Sequence, residues 1–296
     1  MQPFIQKLRT PICALLLFLQ FFSALPSTAQ ESSDSAFVAP PGQGMDTVIK
    51  LNDAKSKDSV PGYYYRINGT YLKSYWTDFK YAATTPLHWK GRDWAKFATI
   101  IGGTGIIMLT LDEPVQEMML RNQNEVFDKA SEILYPLGNR FPPFLLAGMY
   151  ATSIITHNRR MEHASLSVAK SLAISTVFYI AAKSVIRRQR PTRTDDPFDF
   201  APPFTGEEYT SFPSGHTNTA FAVATAFSLE YNNKKWVPWV AYALASLTAI
   251  SRLYDNRHWL SDIVIGASIG HFVTKAVYKQ EYKRRAAGKI NLKGVQ

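Results

Sequence analysis

Eight residues suited to anion chemistry fall into three short clusters in the second half of this 296-residue chain. They are Lys183 and Arg190, then Ser214, Gly215 and His216, and finally Arg252, His258 and Asp262. Lysine and arginine neutralise anionic oxygens, and a histidine can transfer a proton or attack as a nucleophile. Three cations, two histidines and a carboxylate in one site would therefore suit chemistry on a bound phosphate.

The first cluster places two cations near a predicted helix end. Lys183 and Arg190 are seven residues apart, which is two helical turns, so both side chains would project from one face. Pro191 restricts Arg190 and would end the helix there. Two such cations predict an anion site. A basic helix end facing solvent or lipid head groups is the alternative, and it suits the neighbouring Arg187 and Arg188.

The second cluster, Pro213-Ser214-Gly215-His216, predicts the start of a helix. Ser214 is a preferred N-cap residue, and Gly215 lets the backbone approach a ligand closely. The free N–H groups and the positive end of the helix dipole favour phosphate there. His216 would lie beside that phosphate, placed to give or take a proton. The alternative is an ordinary capped helix with a surface histidine.

The third cluster pairs a histidine with a carboxylate. His258 and Asp262 are four residues apart, so they share one face at the start of a helix. Asp262 could then accept the Nδ1–H of His258 and leave Nε2 free as a nucleophile. Arg252 would end the preceding helix and could donate two hydrogen bonds to phosphate oxygens. A pair that only caps the helix is the alternative.

Six apolar stretches would position these clusters. Each has 14 residues or more, too long for strands and without strand-like alternation: 97–110, 141–156, 164–186, 217–231, 236–250 and 259–279. A more polar helix is predicted over 112–135. The pattern predicts an all-α fold, a bundle of about six core helices with the active site at one end. Whether the bundle is embedded in a membrane stays open at this point.

Taken together, the three clusters resemble the signature motifs of the type 2 phosphatidic acid phosphatase superfamily. That superfamily also includes bacterial class A acid phosphatases and vanadium haloperoxidases, and the resemblance covers about residues 96–275. It implies that His258 attacks phosphorus, that Asp262 orients it, and that His216 protonates the leaving oxygen and then activates water. It also implies that no metal or other cofactor takes part. The phosphate oxygens would be held by Lys183, Arg190, Ser214, Gly215 and Arg252.

Two substrate classes fit such a phosphatase. The apolar stretches and the basic tail favour a phosphorylated lipid, which we predict, at a membrane. A secretory signal and a mean hydropathy of −0.14 favour the alternative, a soluble periplasmic acid phosphatase acting on small esters. A vanadium-dependent haloperoxidase is less favoured, although vanadate mimics phosphate. The net charge of +10 suits an anionic partner, and no nucleic acid is predicted among the partners.

The N-terminal residues have the features of a secretory signal. Lys7 and Arg9 precede an apolar run at 11–25, which is short for a bilayer span, and small residues suit cleavage near Ala29. Cys13 is the single cysteine, so the mature chain would have none. The predicted divisions are a signal peptide (1–29), a flexible then aromatic-rich lead-in (30–95), the bundle (96–279) and a basic tail (280–296).

A signal peptide, six spans and a periplasmic site cannot all hold. With the site in the periplasm, six spans would put residues 30–95 in the cytoplasm, whereas a cleaved signal puts them outside. We therefore predict a real signal, a periplasmic site and one stretch that does not span. The stretch is 97–110, which is the shortest and contains Gly102, Gly103 and Gly105. The alternative is a peripheral bundle in the periplasm.

Overall fold

The computed structural model describes residues 66–286, and this part of the chain is helical without a β-strand. Two 3₁₀ turns lie at Thr85–His88 and Tyr135–Gly138. The all-α prediction is confirmed, and each of the six apolar stretches contributes a helix. The α-helices are α1 (Gly69–Thr84), α2 (Gly91–Thr110), α3 (Asp112–Arg121), α4 (Glu125–Leu134), α5 (Phe141–Ile155), α6 (Arg159–Ile186), α7 (Gly215–Glu230), α8 (Trp236–Tyr254) and α9 (Leu260–Ala286).

Helix α7 lies at the centre of the bundle and packs against α6, α8 and α9. Small side chains line it, and Ala222 and Ala226 are fully buried. Helix α9 approaches α7 closely through two glycines. A Cβ at Gly266 would lie 2.5 Å from the carbonyl oxygen of Ser214, and one at Gly270 would meet the carbonyl of Asn218. This close approach fixes the start of α9 against the start of α7.

The helix predicted over 112–135 is two helices, α3 and α4. The break occurs because the side chain of Asn124 accepts hydrogen bonds from the backbone N–H groups of Val126 and Phe127, at 3.1 Å each. Such side-chain capping offers the backbone an alternative to continuing a helix. The prediction of one helix was therefore wrong. The last helix, α9, continues to Ala286, past the predicted start of the tail at 280.

Two of the described helices, α6 and α9, are each long and apolar enough to cross a membrane. Helices α2 and α3 meet the same criterion only as a pair, bent by 56°. Large apolar side chains point outward from other helices, including Phe144 at 76% and Trp239 at 78% exposure. Exposed apolar surface of this kind indicates membrane association. Up to three spans therefore follow from length and composition, against the six apolar stretches of the sequence.

A network of buried charges ties α1 to the bundle. Lys170 of α6 lies 2.8 Å from Asp78 of α1 and 3.6 Å from Glu281 of α9, and all three side chains are almost fully buried. Asp78 also pairs with Arg284. Buried charges require such partners, so the described part of the lead-in packs on the bundle. The predicted signal peptide, the rest of the lead-in before residue 66 and residues 287–296 lie outside the described residues.

Candidate active site

The eight predicted residues lie at the end of the bundle where α6 and α8 end and α7 and α9 begin. Helix α7 begins at Gly215, and Ser214 caps it as predicted, since its Oγ accepts from the N–H of Thr217. Gly215 packs against an aromatic ring: a Cβ there would lie 3.1 Å from Tyr179. The N–H of Ser214 donates to the carbonyl of Asp262 at 3.1 Å. The second and third clusters are thus joined directly.

Lys183 and Arg190 do not share a helix, so that prediction was wrong. Helix α6 ends at Ile186 because Arg187 adopts a left-handed conformation, with φ of 46°. The two cations nevertheless meet at Thr210 in the following loop. Lys183 Nζ donates to its carbonyl oxygen, and Arg190 Nε donates to its Oγ1 at 3.1 Å. The loop that contains Thr210 therefore brings Lys183 and Arg190 together, although the two residues do not lie on one helix face as predicted.

His216 has a buried ring nitrogen, Nε2, without a hydrogen-bond partner among the described residues. The ring packs on Tyr135, with 4.9 Å between centroids. Burial, followed by the nearby positive charge of Arg252, lowers the pKa of His216 to about 3. An anion bound between His216 and these cations would raise that pKa again, so the ring is placed to gain a proton when phosphate enters.

His258 precedes α9, and its side chain is 3% exposed. Its Nδ1 lies 3.5 Å from Oδ2 of Asp262, without meeting the geometry of a hydrogen bond. Burial lowers the pKa of His258 to about 4; Lys183 and Arg190 lower it further, and Asp262 opposes them. His258 is therefore neutral at pH 7, which is the form that can attack phosphorus.

Arg252 lies at the end of α8 and reaches the same site. Its Nη2 is 2.8 Å from Oδ2 of Asp255 and 3.1 Å from Oγ of Ser251. Its guanidinium lies over the ring of Tyr135, 4.7 Å from the centroid. Tyr135 thus contacts both Arg252 and His216, and the sequence prediction did not include it. A tyrosine after a polar helix gave no signal of this placement.

Two further residues were missed, Arg188 and Asp112. Both are almost fully buried, and Arg188 bridges the two carboxylates, at 2.8 Å from Asp262 and 2.7 Å from Asp112. A basic surface was the alternative for Arg188, and its burial contradicts that alternative. Asp112 lies in a helix, as predicted, but its pairing with Arg188 was not predicted. The available signal was an acid two residues after the apolar stretch 97–110.

Residues 164–286 match the family model described as the PAP2 superfamily. Lipid A 1-phosphatase of Porphyromonas gingivalis is 49% identical over 74 residues, which is 25% of this chain and 17% of that protein. Lipid A 4'-phosphatase of the same organism is 31% identical over 117 residues, 38% of this chain and 48% of that protein. The chain thus spans less than half the length of these relatives.

Among solved structures, the chain is similar to a transmembrane PAP2-type phosphatidylglycerolphosphate phosphatase from Bacillus subtilis. The TM-score is 0.48 at 22% identity, and the match covers 72% of this chain and 96% of that one.

Proposed function

Because this chain carries a PAP2-superfamily region at residues 164–286, we propose that it is a phosphatase that removes a phosphate monoester from a lipid. All eight site residues predicted from sequence lie inside that region. Two relatives are named as lipid A phosphatases, which supports a phosphorylated lipid as substrate. The observation that carries the proposal is the meeting of two histidines and three cations. Nε2 of His216 is buried without a hydrogen-bond partner among the described residues, and His258 is almost fully buried beside Asp262.

In the first step, Nε2 of His258 attacks phosphorus and the bond from phosphorus to the ester oxygen breaks. His216 gives its proton to that oxygen, so the lipid leaves as a neutral alcohol. The new phosphoimidazole is cationic, and the nearby Asp262 carboxylate stabilises that charge. The oxygens of the transferred group are held by Lys183, Arg190, Arg252 and the backbone N–H groups at the start of α7.

In the second step, His216 takes a proton from a water molecule, which attacks phosphorus. The bond between phosphorus and Nε2 of His258 breaks, and inorganic phosphate leaves. The ring of His258 returns to its neutral form. The three cations take the place that a metal ion has in other phosphatases, so the proposed reaction is independent of metal.

The proposed location is the periplasmic face of a membrane. Helices α6 and α9 are apolar enough to span, and outward apolar side chains such as Trp239 support contact with lipid. This surface favours a lipid substrate over a small soluble ester. The basic residues Lys234 and Lys235 lie in the turn after α7, at the opposite end from the site. Their position supports a cytoplasmic assignment for that end.

The test is phosphate release by the purified full chain in detergent micelles. The panel contains lipid A, phosphatidate, phosphatidylglycerol phosphate and a soluble aryl phosphate. Turnover of at least one lipid is expected, with the soluble ester hydrolysed less efficiently. His258→Ala should abolish turnover, and His88→Ala, at an exposed position, should leave it unchanged. Rapid quenching with labelled substrate should trap phosphate on His258. Full activity of His258→Ala would refute the mechanism.

A further inference from the structure

We propose that Arg188 and Asp112 are positioning residues for the nucleophile: Arg188 clamps Asp262, and Asp112 balances the charge of Arg188. Asp262 then keeps its negative charge for His258. The inference rests on the proposed function, because it assigns these two residues to the same reaction. Neither residue touches the phosphate site directly in this geometry, and each would act through Asp262.

The guanidinium of Arg188 is held on every side. Its Nη1 donates to Oδ1 of Asp262 at 2.8 Å and to Oγ of Ser261 at 2.7 Å. Its Nη2 donates to Oδ2 of Asp112 at 2.7 Å, and the carbonyl of Pro197 accepts from Nε at 2.9 Å. The fixed guanidinium holds Oδ1 of Asp262 through one charge-assisted hydrogen bond, and Ser211 and Trp259 hold Oδ2.

Asp112 joins the start of α3 to the start of α9. Its Oδ1 accepts from the backbone N–H of Ser261 at 2.9 Å, and its Oδ2 accepts from Oγ of Ser261 at 2.6 Å. Ser261 directly precedes Asp262 in the chain. Asp112 therefore holds both the backbone and the cation that orient Asp262. A single pairing of Arg188 with Asp262 would not require this second carboxylate.

The contacts of Asp262 explain why the second carboxylate matters. Oδ1 accepts from Arg188, whereas Oδ2 accepts from Oγ of Ser211 at 2.5 Å and from the N–H of Trp259 at 2.9 Å. The same Oδ2 faces Nδ1 of His258. With Arg188 alone, the cation would neutralise the carboxylate that a cationic phosphoimidazole needs. Burial raises the pKa of Asp112, and Arg188 and Ser261 oppose that shift. In its ionised form, Asp112 leaves the three charged groups with a net charge of minus one.

Two variants should shift the pKa of His258 in opposite directions. In Asp112→Asn, the positive charge of Arg188 is no longer balanced by Asp112, so the pKa of His258 should fall. In the double variant Arg188→Met with Asp112→Leu, the nearer cation and the farther anion are both removed, so the pKa should rise. The double variant also leaves no unpaired buried charge within this pair, which favours folding.

The other titratable and charged groups around His258 and His216 are unchanged in these variants. They are Lys183 on α6, Arg190 in the loop, His216 on α7, Arg252 on α8 and Asp262 on α9. Opposite shifts of the His258 pKa would therefore report on Arg188 and Asp112. A purely structural ion pair would change the melting temperature without moving the pKa in two directions.

The experiment combines kinetics with titration of the His258 ring by NMR in the full chain. Asp112→Asn should lower kcat by about 10- to 100-fold, by analogy with the loss of a group that orients a metal ligand, with KM nearly unchanged. Arg188→Lys, which cannot reach both carboxylates, should also lower kcat. The control is Glu117→Gln, an exposed acid on the same helix that pairs with Arg121; it should match the wild type.

Three outcomes are decisive. Wild-type kcat in Asp112→Asn and in the double variant would overturn the inference. An unchanged His258 titration in both folded variants would overturn it as well. If the wild-type protein releases no phosphate from any substrate, the proposed function fails, and the titration alone decides whether Arg188 and Asp112 tune His258.

Discussion

Gly266→Ala should displace the start of α7, which is proposed to bind phosphate, because α9 contacts α7 at this glycine. A Cβ at residue 266 would lie 2.5 Å from the carbonyl oxygen of Ser214, and ordinary contact begins at 3.4 Å. The two backbones must therefore separate by about 0.9 Å, which is 3.4 minus 2.5. The backbone that moves carries Ser214, Gly215 and His216. No flexible side chain is available to absorb the change.

The magnitude follows from that displacement. A misplacement of about 1 Å costs on the order of 100-fold in rate when reacting groups lose alignment, so we expect kcat to fall about 10- to 100-fold. Overpacking of this kind destabilises by about 1–3 kcal/mol. The better helix propensity of alanine offsets less than about 1 kcal/mol. The melting temperature should therefore fall as well.

The assay measures kcat, KM and melting temperature in one detergent, with two matched glycines as controls. A Cβ at Gly148 would meet nothing within 4 Å, so Gly148→Ala should keep wild-type kcat and gain slightly in stability. Gly270→Ala meets the carbonyl of Asn218, one turn farther from the site, and should lose stability with a smaller effect on kcat. Wild-type kcat in Gly266→Ala, or an equal loss of kcat in Gly270→Ala, would refute this reasoning.

Four further predictions concern pH and inhibitors. Because burial lowers the pKa of His258 to about 4, kcat/KM should not fall until the pH approaches 4, where the ring becomes protonated; a loss already near pH 6.5 would contradict this. The low pKa values of His258 and His216 also mean that the unfolded chain binds more protons below pH 6.5. Stability should therefore decrease from pH 6.5 towards 4. A chelator should leave turnover unchanged, and loss of turnover that a divalent ion restores would argue against the proposal that the three cations replace a metal. Vanadate should inhibit turnover as a transition-state mimic.

The sequence was informative where local chemistry decides the structure. Ser214 caps α7 because of its own hydroxyl, and the apolar stretches form helices because of their length. Arg188 and Arg190 show the limit of this reasoning. They are two residues apart in a run of cations, yet Arg188 is fully buried and Arg190 is partly exposed. The left-handed Arg187 sets their directions, and burial of Arg188 depends on Asp112, 76 residues away.

The contacts of Asp78 and Asp112 show that α2 runs along α9, which bears on the membrane topology. Asp78, before α2, pairs with Arg284 near the end of α9, whereas Asp112, after α2, contacts Ser261 at its start. The chain thus travels the length of α9 between these two residues. If α9 spans the membrane, α2 crosses with it, and residues 66–90 lie on the side opposite the site.

A cleaved signal, a periplasmic site and a spanning α9 therefore cannot all hold together. Labelling of single cysteines in whole cells decides which of the three expectations fails. In a Cys13→Ser background, the probes replace three exposed residues, Glu207 at the site end, Asn232 at the opposite end and His88 before α2. Label at Glu207 alone would mean that a spanning bundle keeps its lead-in in the cytoplasm, so residues 1–29 are not a cleaved signal. Label at all three positions, with release by carbonate, would mean a peripheral periplasmic bundle, because both ends are then outside. We expect the first pattern, in place of the cleaved signal predicted from the sequence. Lys234 and Lys235 beside Asn232 favour the cytoplasm, and α2 runs along α9 from the end where His88 lies. Label at His88 and Glu207 but not at Asn232 would contradict the course of α2 along α9.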